Sequence, residues 1–166
     1  MQTTSSSATK HERSVIVLGP REGEAVWFLD NLMTIKVRAK DGAPYGVLEN
    51  ELPAGSRTPL HRHDDEDEGF YVLEGTITIF FDGGRTVQAS AGSYVHVPRG
   101  VAHGLRADTA LRLLVLSGAD GFVEFVREMG VPAPRRELPP AVEPDVARLG
   151  QIAKKYAIEI LGPLPE

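Results

Sequence analysis

The sequence predicts an all-β barrel or sandwich that ends in short helices. Three observations carry this reading. Between Glu24 and Leu116 the chain breaks into short runs rich in β-branched and aromatic residues, each bounded by Gly, Asp, Asn or Pro. After residue 121 the hydrophobic period changes to that of a helix. At 166 residues with no cysteine, the chain suits one domain whose core stands without disulfides.

The elements follow in order. Glu24 to Leu29 and Leu32 to Val37 read as strands joined by a turn at Asp30-Asn31. Tyr45 to Leu52 alternates loosely. Gly69 to Phe81 is strand-like but interrupted by Gly75, which marks a bend or bulge. Asp82-Gly83-Gly84 is a hairpin turn before Arg85 to Ala89. Ser93 to Val97 and Leu111 to Leu116 are further strands. Phe122, Phe125, Val126 and Met129 then share one helical face, stopped by Gly130 and Pro132. Val131 to Pro144 carries five prolines and reads as a stiff connector. Val146, Leu149, Ile152, Ala153, Tyr156, Ile160 and Leu161 form a second helical face, with Pro144 before it and Gly162-Pro163 after it. Gly150 is a weak point in that helix.

Composition excludes several functions. The net charge is −5, and no basic stripe with interleaved aromatics is present, so nucleic acid is not an expected partner. No apolar run reaches the length of a membrane span. Met1 to Ser14 is polar and Ser/Thr-rich, without the apolar stretch of a signal peptide. It reads as a disordered tail on a cytoplasmic protein. Without cysteine there is no thiolate ligand, iron–sulfur cluster or cysteine nucleophile.

The chemistry is concentrated at His61, His63, Glu68 and His103. His61 and His63 are two apart, so on a strand their side chains point the same way. Glu68 has the wrong parity for that strand, so a turn through Asp64-Asp65-Glu66-Asp67 must bring it back. His103 arrives from far along the chain, after the turn at Pro98-Arg99-Gly100. Imidazole and carboxylate donors suit borderline divalent metals, and four ligands leave a position for substrate. Glu66 is the competing carboxylate. Glu68 is preferred because it directly precedes Phe70-Tyr71-Val72-Leu73, which holds it rigidly. The other acids of the run read as a solvated loop. His96 is a decoy near His103, and His11 lies in the tail.

These two segments resemble a cupin. The pattern G-x5-H-x-H-x(3,4)-E-x6-G is matched by Gly55, His61, His63, Glu68 and Gly75. The pattern G-x5-P-x-G-x2-H-x3-N is matched by Gly92, Pro98, Gly100 and His103, with Ala107 in place of the asparagine. The resemblance implies a small double-stranded β-helix, or jelly-roll, barrel over residues 15–120. A C-terminal helical extension would pack on it over 121–166. It implies one divalent ion (Mn, Fe, Co, Ni, Cu or Zn) held by His61, His63, Glu68 and His103. Asp67-Glu68-Gly-Phe-Tyr-Val-Leu-Glu-Gly75 and the helical ending are most like bacterial quercetin 2,3-dioxygenase-type cupins.

That likeness implies a dioxygenase acting with O2 on a small flavonol- or enediol-like substrate, with Glu68 as ligand and general base. O2-independent isomerase, lyase or hydrolase chemistry and a non-enzymatic ligand-binding role use the same residues. Pocket candidates are Phe28, Met33, Tyr45, Phe70 and Val72, with Phe122 and Phe125 as a lid. Each also suits plain core packing. Arg57 and Arg99 flank the site and read as surface arginines. Cupins resembling this chain are commonly homodimers, and residues 1–30 and the helix from Pro144 are the expected contacts.

Overall fold

The structure is a computed structural model and describes residues 15–141 and 143–165. The expected polar tail, with His11, lies outside the described residues. Ten strands run in order: β1 (Glu24–Phe28), β2 (Asn31–Val37), β3 (Gly46–Leu52), β4 (Leu60–His63), β5 (Glu68–Glu74), β6 (Thr76–Phe81), β7 (Thr86–Ser90), β8 (Tyr94–Val97), β9 (His103–Ala107) and β10 (Leu111–Ser117). They are followed by α1 (Gly121–Met129), β11 (Val131–Pro132), α2 (Val146–Lys155) and β12 (Ile158–Gly162).

Two antiparallel sheets form the jelly-roll barrel. One has the order β11-β1-β2-β3-β10-β5-β8 and the other β12-β4-β9-β6-β7. Strand alternation creates the shared interior. On β10, Leu111, Leu113, Val115 and Ser117 are buried and the residues between them are more accessible. Leu48, Phe70, Val72, Ile77, Ile79 and Leu113 belong to one continuous core. Fully burying a side chain of this kind contributes about 1.5–3 kcal/mol. The bend expected at Gly75 separates β5 from β6. Gly75 has φ +85°, and a Cβ there would stand 2.3 Å from the Ala110 carbonyl oxygen. Only glycine fits both constraints.

The first hairpin turn sits one residue earlier than expected. Phe28 pairs with Asn31, so Leu29-Asp30 makes the turn, and Leu29 takes φ +56°. The shift is favoured because Asn31 is buried and its Oδ1 accepts from the Ser56 hydroxyl at 3.3 Å, while Leu29 packs against the core.

The larger correction is at the C-terminus. The helix expected to continue through Leu161 ends at Lys155, and Ile158–Gly162 is a strand. Asp145 caps α2 by accepting from the Arg148 N–H at 2.9 Å, and Gly150 does not interrupt it. Ala157 at φ +55° turns the chain. β12 then pairs with β4, Ile158 opposite His63 and Ile160 opposite His61. Helical spacing and strand alternation both suit these residues. What decides is the otherwise unpaired edge of β4, whose backbone groups β12 satisfies. Ile158 faces the interior, and Glu159 faces outward to Arg62 at 2.7 Å. Gly162-Pro163 therefore ends a strand and not a helix. No helix among the described residues is long and apolar enough to cross a membrane.

Candidate metal centre

The five-stranded sheet supplies all three histidines. His61 and His63 share the inner face of β4, while Arg62 between them points out to Asp64 and Glu159. His103 opens β9 directly opposite His61. The following Gly104 permits this close pairing, since a Cβ there would meet the Pro59 carbonyl oxygen at 2.8 Å. The Gly100 N–H donates to the His63 carbonyl at 2.7 Å, which ties the two sequence motifs together. Glu68 comes from the other sheet, as the first residue of β5. One ligand atom from each of the four lies within 4.8 Å of the others.

The outward ring nitrogens are fixed by acceptors. His61 Nδ1 donates to the Pro59 carbonyl at 2.9 Å, and His103 Nδ1 to the Val101 carbonyl at 3.0 Å. Carbonyls only accept, so both Nδ1 atoms carry hydrogen and each Nε2 lone pair is free to point inward. His63 Nδ1 faces Glu66 Oε1 at 3.4 Å, which favours the same tautomer. Glu68 Oε2 lies 3.0 Å from His103 Nε2 and 3.4 Å from His63 Nε2. Two acceptors this close need a cation between them, either a proton or a metal. Neighbouring donors around an ion with bonds of about 2.1 Å stand roughly 3 Å apart, so the spacing fits a metal. His63 Nε2 is buried and makes no hydrogen bond among the described residues. The residues present therefore fit a divalent ion.

The electrostatics agree. Burial pushes the Glu68 carboxyl up, but His63 and then the close approach of His103 outweigh it and hold Glu68 down to about 2. Burial, followed by the charges of His103 and His63, pushes His61 down to about 3. At neutral pH the site thus presents an ionised carboxylate and at least one neutral imidazole. His63 is also pushed down by burial, yet Glu68 and then Glu66 raise it above its ordinary value.

Glu66 is where the sequence reading needs correction. It is not part of a solvated loop: it is 4% exposed. Its Oε1 accepts the Phe122 N–H at the start of α1 at 2.6 Å, and its Oε2 accepts the Ser117 hydroxyl. Glu66 therefore stands behind His63 and docks α1 beside the site. By contrast His96 is half exposed and 3.9 Å from Asp67, away from the cluster. Arg99 is held by Asp67 at 3.0 Å, and Arg57 is exposed.

A cavity of about 60 Å³ opens beside the ligands. Phe28, Met33, Phe70, Phe122 and Phe125 line it as expected. The Phe122 ring stands edge-on to His63, with 5.6 Å between centroids. Tyr45 and Val72 do not line it. Tyr45 is exposed in an outer groove with Ile16 and Leu18, and Val72 is wholly buried in the core. Asn31, Asn50, Val115, Leu149, Ile158 and Ile160 also line it and were not expected there from the sequence.

A family profile, the cupin domain, matches residues 48–117. This span contains all four clustered residues. The chain belongs to the cupin superfamily. Among curated proteins this cupin is 32% identical over 138 residues to quercetin 2,3-dioxygenase of Bacillus subtilis (strain 168), covering 82% of this chain and 40% of that protein. It is 36% identical over 55 residues to an oxalate-binding protein of Thermotoga maritima, covering 33% of this chain and 45% of that protein. These matches span less than half the length of either relative. Among solved structures, ectoine synthase from P. lautus superposes with a TM-score of 0.56 at 20% identity, over 74% of this chain and 86% of that one. That likeness supports the fold.

Proposed function

We propose that this cupin is a metal-dependent dioxygenase acting on a small oxygenated substrate of flavonol or enediol type. The observation that carries the reading is the convergence of three imidazoles, two of them tautomer-fixed by backbone carbonyls, and one ionised carboxylate at the end of an apolar cavity. The similarity to a quercetin 2,3-dioxygenase over most of this chain supports it. His61, His63, Glu68 and His103 would hold one divalent ion, whose identity among Mn, Fe, Co, Ni, Cu and Zn the donor set leaves open. When bound, the ion supplies Lewis acidity toward a substrate hydroxyl and, if redox-active, electron transfer with O2.

The chain's own residues do the rest. Glu68 is ionised at neutral pH and accepts the proton that the substrate hydroxyl gives up. The Pro59 and Val101 carbonyls and Glu66 keep the three imidazoles oriented. Phe28, Phe70, Phe122 and Phe125 exclude water and contact the apolar body of the substrate.

The test is O2 uptake by metal-loaded protein supplied with quercetin and with simple enediols. Uptake that disappears in Glu68→Gln, with the far-UV spectrum unchanged, is the expected result. Turnover under nitrogen would instead favour isomerase, lyase or hydrolase chemistry. The match to an oxalate-binding protein favours a second, non-enzymatic reading. That reading expects ligand-dependent thermal shifts without turnover.

Homodimerisation is part of the same proposal. Val15 is 90% and Val17 83% exposed, which gives the N-terminal stretch apolar surface to exchange with a second copy. Sedimentation as a monomer at micromolar concentration would remove it.

A further inference from the structure

Asn50 is an anomaly in the wall of the cavity. It is 3% exposed and shares the inward parity of β3 with Leu48 and Leu52. Its cross-strand neighbours are Met33 and Leu113, which offer no hydrogen-bonding side chain. Its Oδ1 has no hydrogen-bond partner among the described residues. Asn31 lines the same cavity, but its Oδ1 lies within reach of the Ser56 hydroxyl at 3.3 Å, which it shares with Asp30 Oδ1 at 3.0 Å. A buried amide oxygen without a partner is destabilising relative to a hydrocarbon side chain of the same shape. Sites that bind a polar group tolerate that penalty because the ligand removes it.

We propose that Asn50 is a substrate-recognising residue whose Oδ1 accepts a hydrogen bond from a hydroxyl or N–H of the ligand, at the end remote from the metal centre. The sheet register sets the scale. Asn50 faces Leu113, Leu113 faces Val72, and Val72 is four residues along β5 from Glu68. Four residues of strand span roughly 13 Å. The cavity between them is about 60 Å³, so the ligand class is a small molecule with an apolar body against Met33, Phe70, Val115 and Phe122 and a hydrogen-bond donor at the Asn50 end. Only the oxygen function at the metal-facing end rests on the oxygenase reading. The donor at the Asn50 end does not.

The test uses phenol and toluene, two probes of similar shape that differ by one hydroxyl. They are titrated into the full-length protein and into Asn50→Leu, with affinity read by thermal shift and calorimetry. The expected result is a phenol preference of about tenfold in the unsubstituted protein, the size of one good hydrogen bond. In Asn50→Leu that preference should vanish, and toluene should bind as well or better. Without probe, Asn50→Leu should melt at the same temperature or higher, because an unsatisfied polar group has been removed. A melting temperature several degrees lower would assign Asn50 a structural role and overturn the proposal. So would a phenol preference that survives the substitution, or binding of neither probe. Absence of O2 uptake with every flavonol, alongside an Asn50-dependent phenol preference, would sink the oxygenase reading and leave this one standing.

Discussion

The two sheets of the barrel contribute very differently to the candidate metal centre. The five-stranded sheet supplies three imidazoles, two from β4 and one from β9, arranged by strand parity and by the His61–His103 pairing. The seven-stranded sheet supplies one carboxylate, Glu68, together with two of the four phenylalanines of the cavity wall, Phe28 and Phe70, the other two coming from α1. The imidazole donors are thus preset within one sheet. The charged donor arrives only when the sheets pack face to face. Closure of the barrel and completion of the site are the same event.

Several substitutions can break or sharpen this contrast. The largest effect is expected from replacing His61 and His63 together by Ala. Elemental analysis should find a stoichiometric ion in the unsubstituted protein and none in this variant. Because the histidines are preset by one sheet, Glu68→Gln should weaken metal binding without disturbing their arrangement, visible as unchanged imidazole proton resonances in the metal-free protein.

Next is the packing behind each sheet region. Ile158→Ala removes a buried side chain opposite His63 and should cost about 2–4 kcal/mol in urea unfolding. Ile77→Ala, in the wholly buried core on β6, should cost a similar amount. Only Ile158→Ala should also weaken metal affinity, measured by chelator competition. Equal metal affinity in the two variants would refute the coupling of β12 to the centre.

Glu66 comes third. Glu66→Gln should lower metal affinity about 10–100-fold, the usual consequence of disturbing the partner behind a ligating histidine. Glu66→Ala should in addition cost about 1–3 kcal/mol of stability, because the Phe122 N–H and the Ser117 hydroxyl lose their acceptor.

The smallest effect lies on the outer face of the seven-stranded sheet. Burial pushes the Glu49 carboxyl up, but hydrogen bonds from Lys36 and Arg112 outweigh it and hold it below its ordinary 4.5. A depressed folded value means that this stabilisation is present above pH 4.5 and is lost as pH falls through the lower folded value. Glu49→Gln should therefore flatten the decline of the urea midpoint below pH 4.5 while leaving metal affinity unchanged.

The ligand residues were legible because their signals are local. A two-residue spacing on β4 sets parity, and the glycine-framed patterns Gly55–Gly75 and Gly92–His103 mark the turns that deliver Glu68 and His103. The repeated short strands announced an all-β barrel for the same reason, since alternation and turn chemistry act over a few residues. Tertiary structure alone decided what depends on a partner distant in the chain. Ile158 to Gly162 became a strand because β4 needed a second neighbour, against a pattern that also suited a helix. Glu66 became buried because α1 brought the Phe122 N–H to it from 56 residues away. Asn50 is polar in a hydrocarbon row, and only its burial without a partner gives that polarity meaning. Local geometry is written in neighbouring residues. Satisfaction of a buried group depends on whatever the fold packs against it.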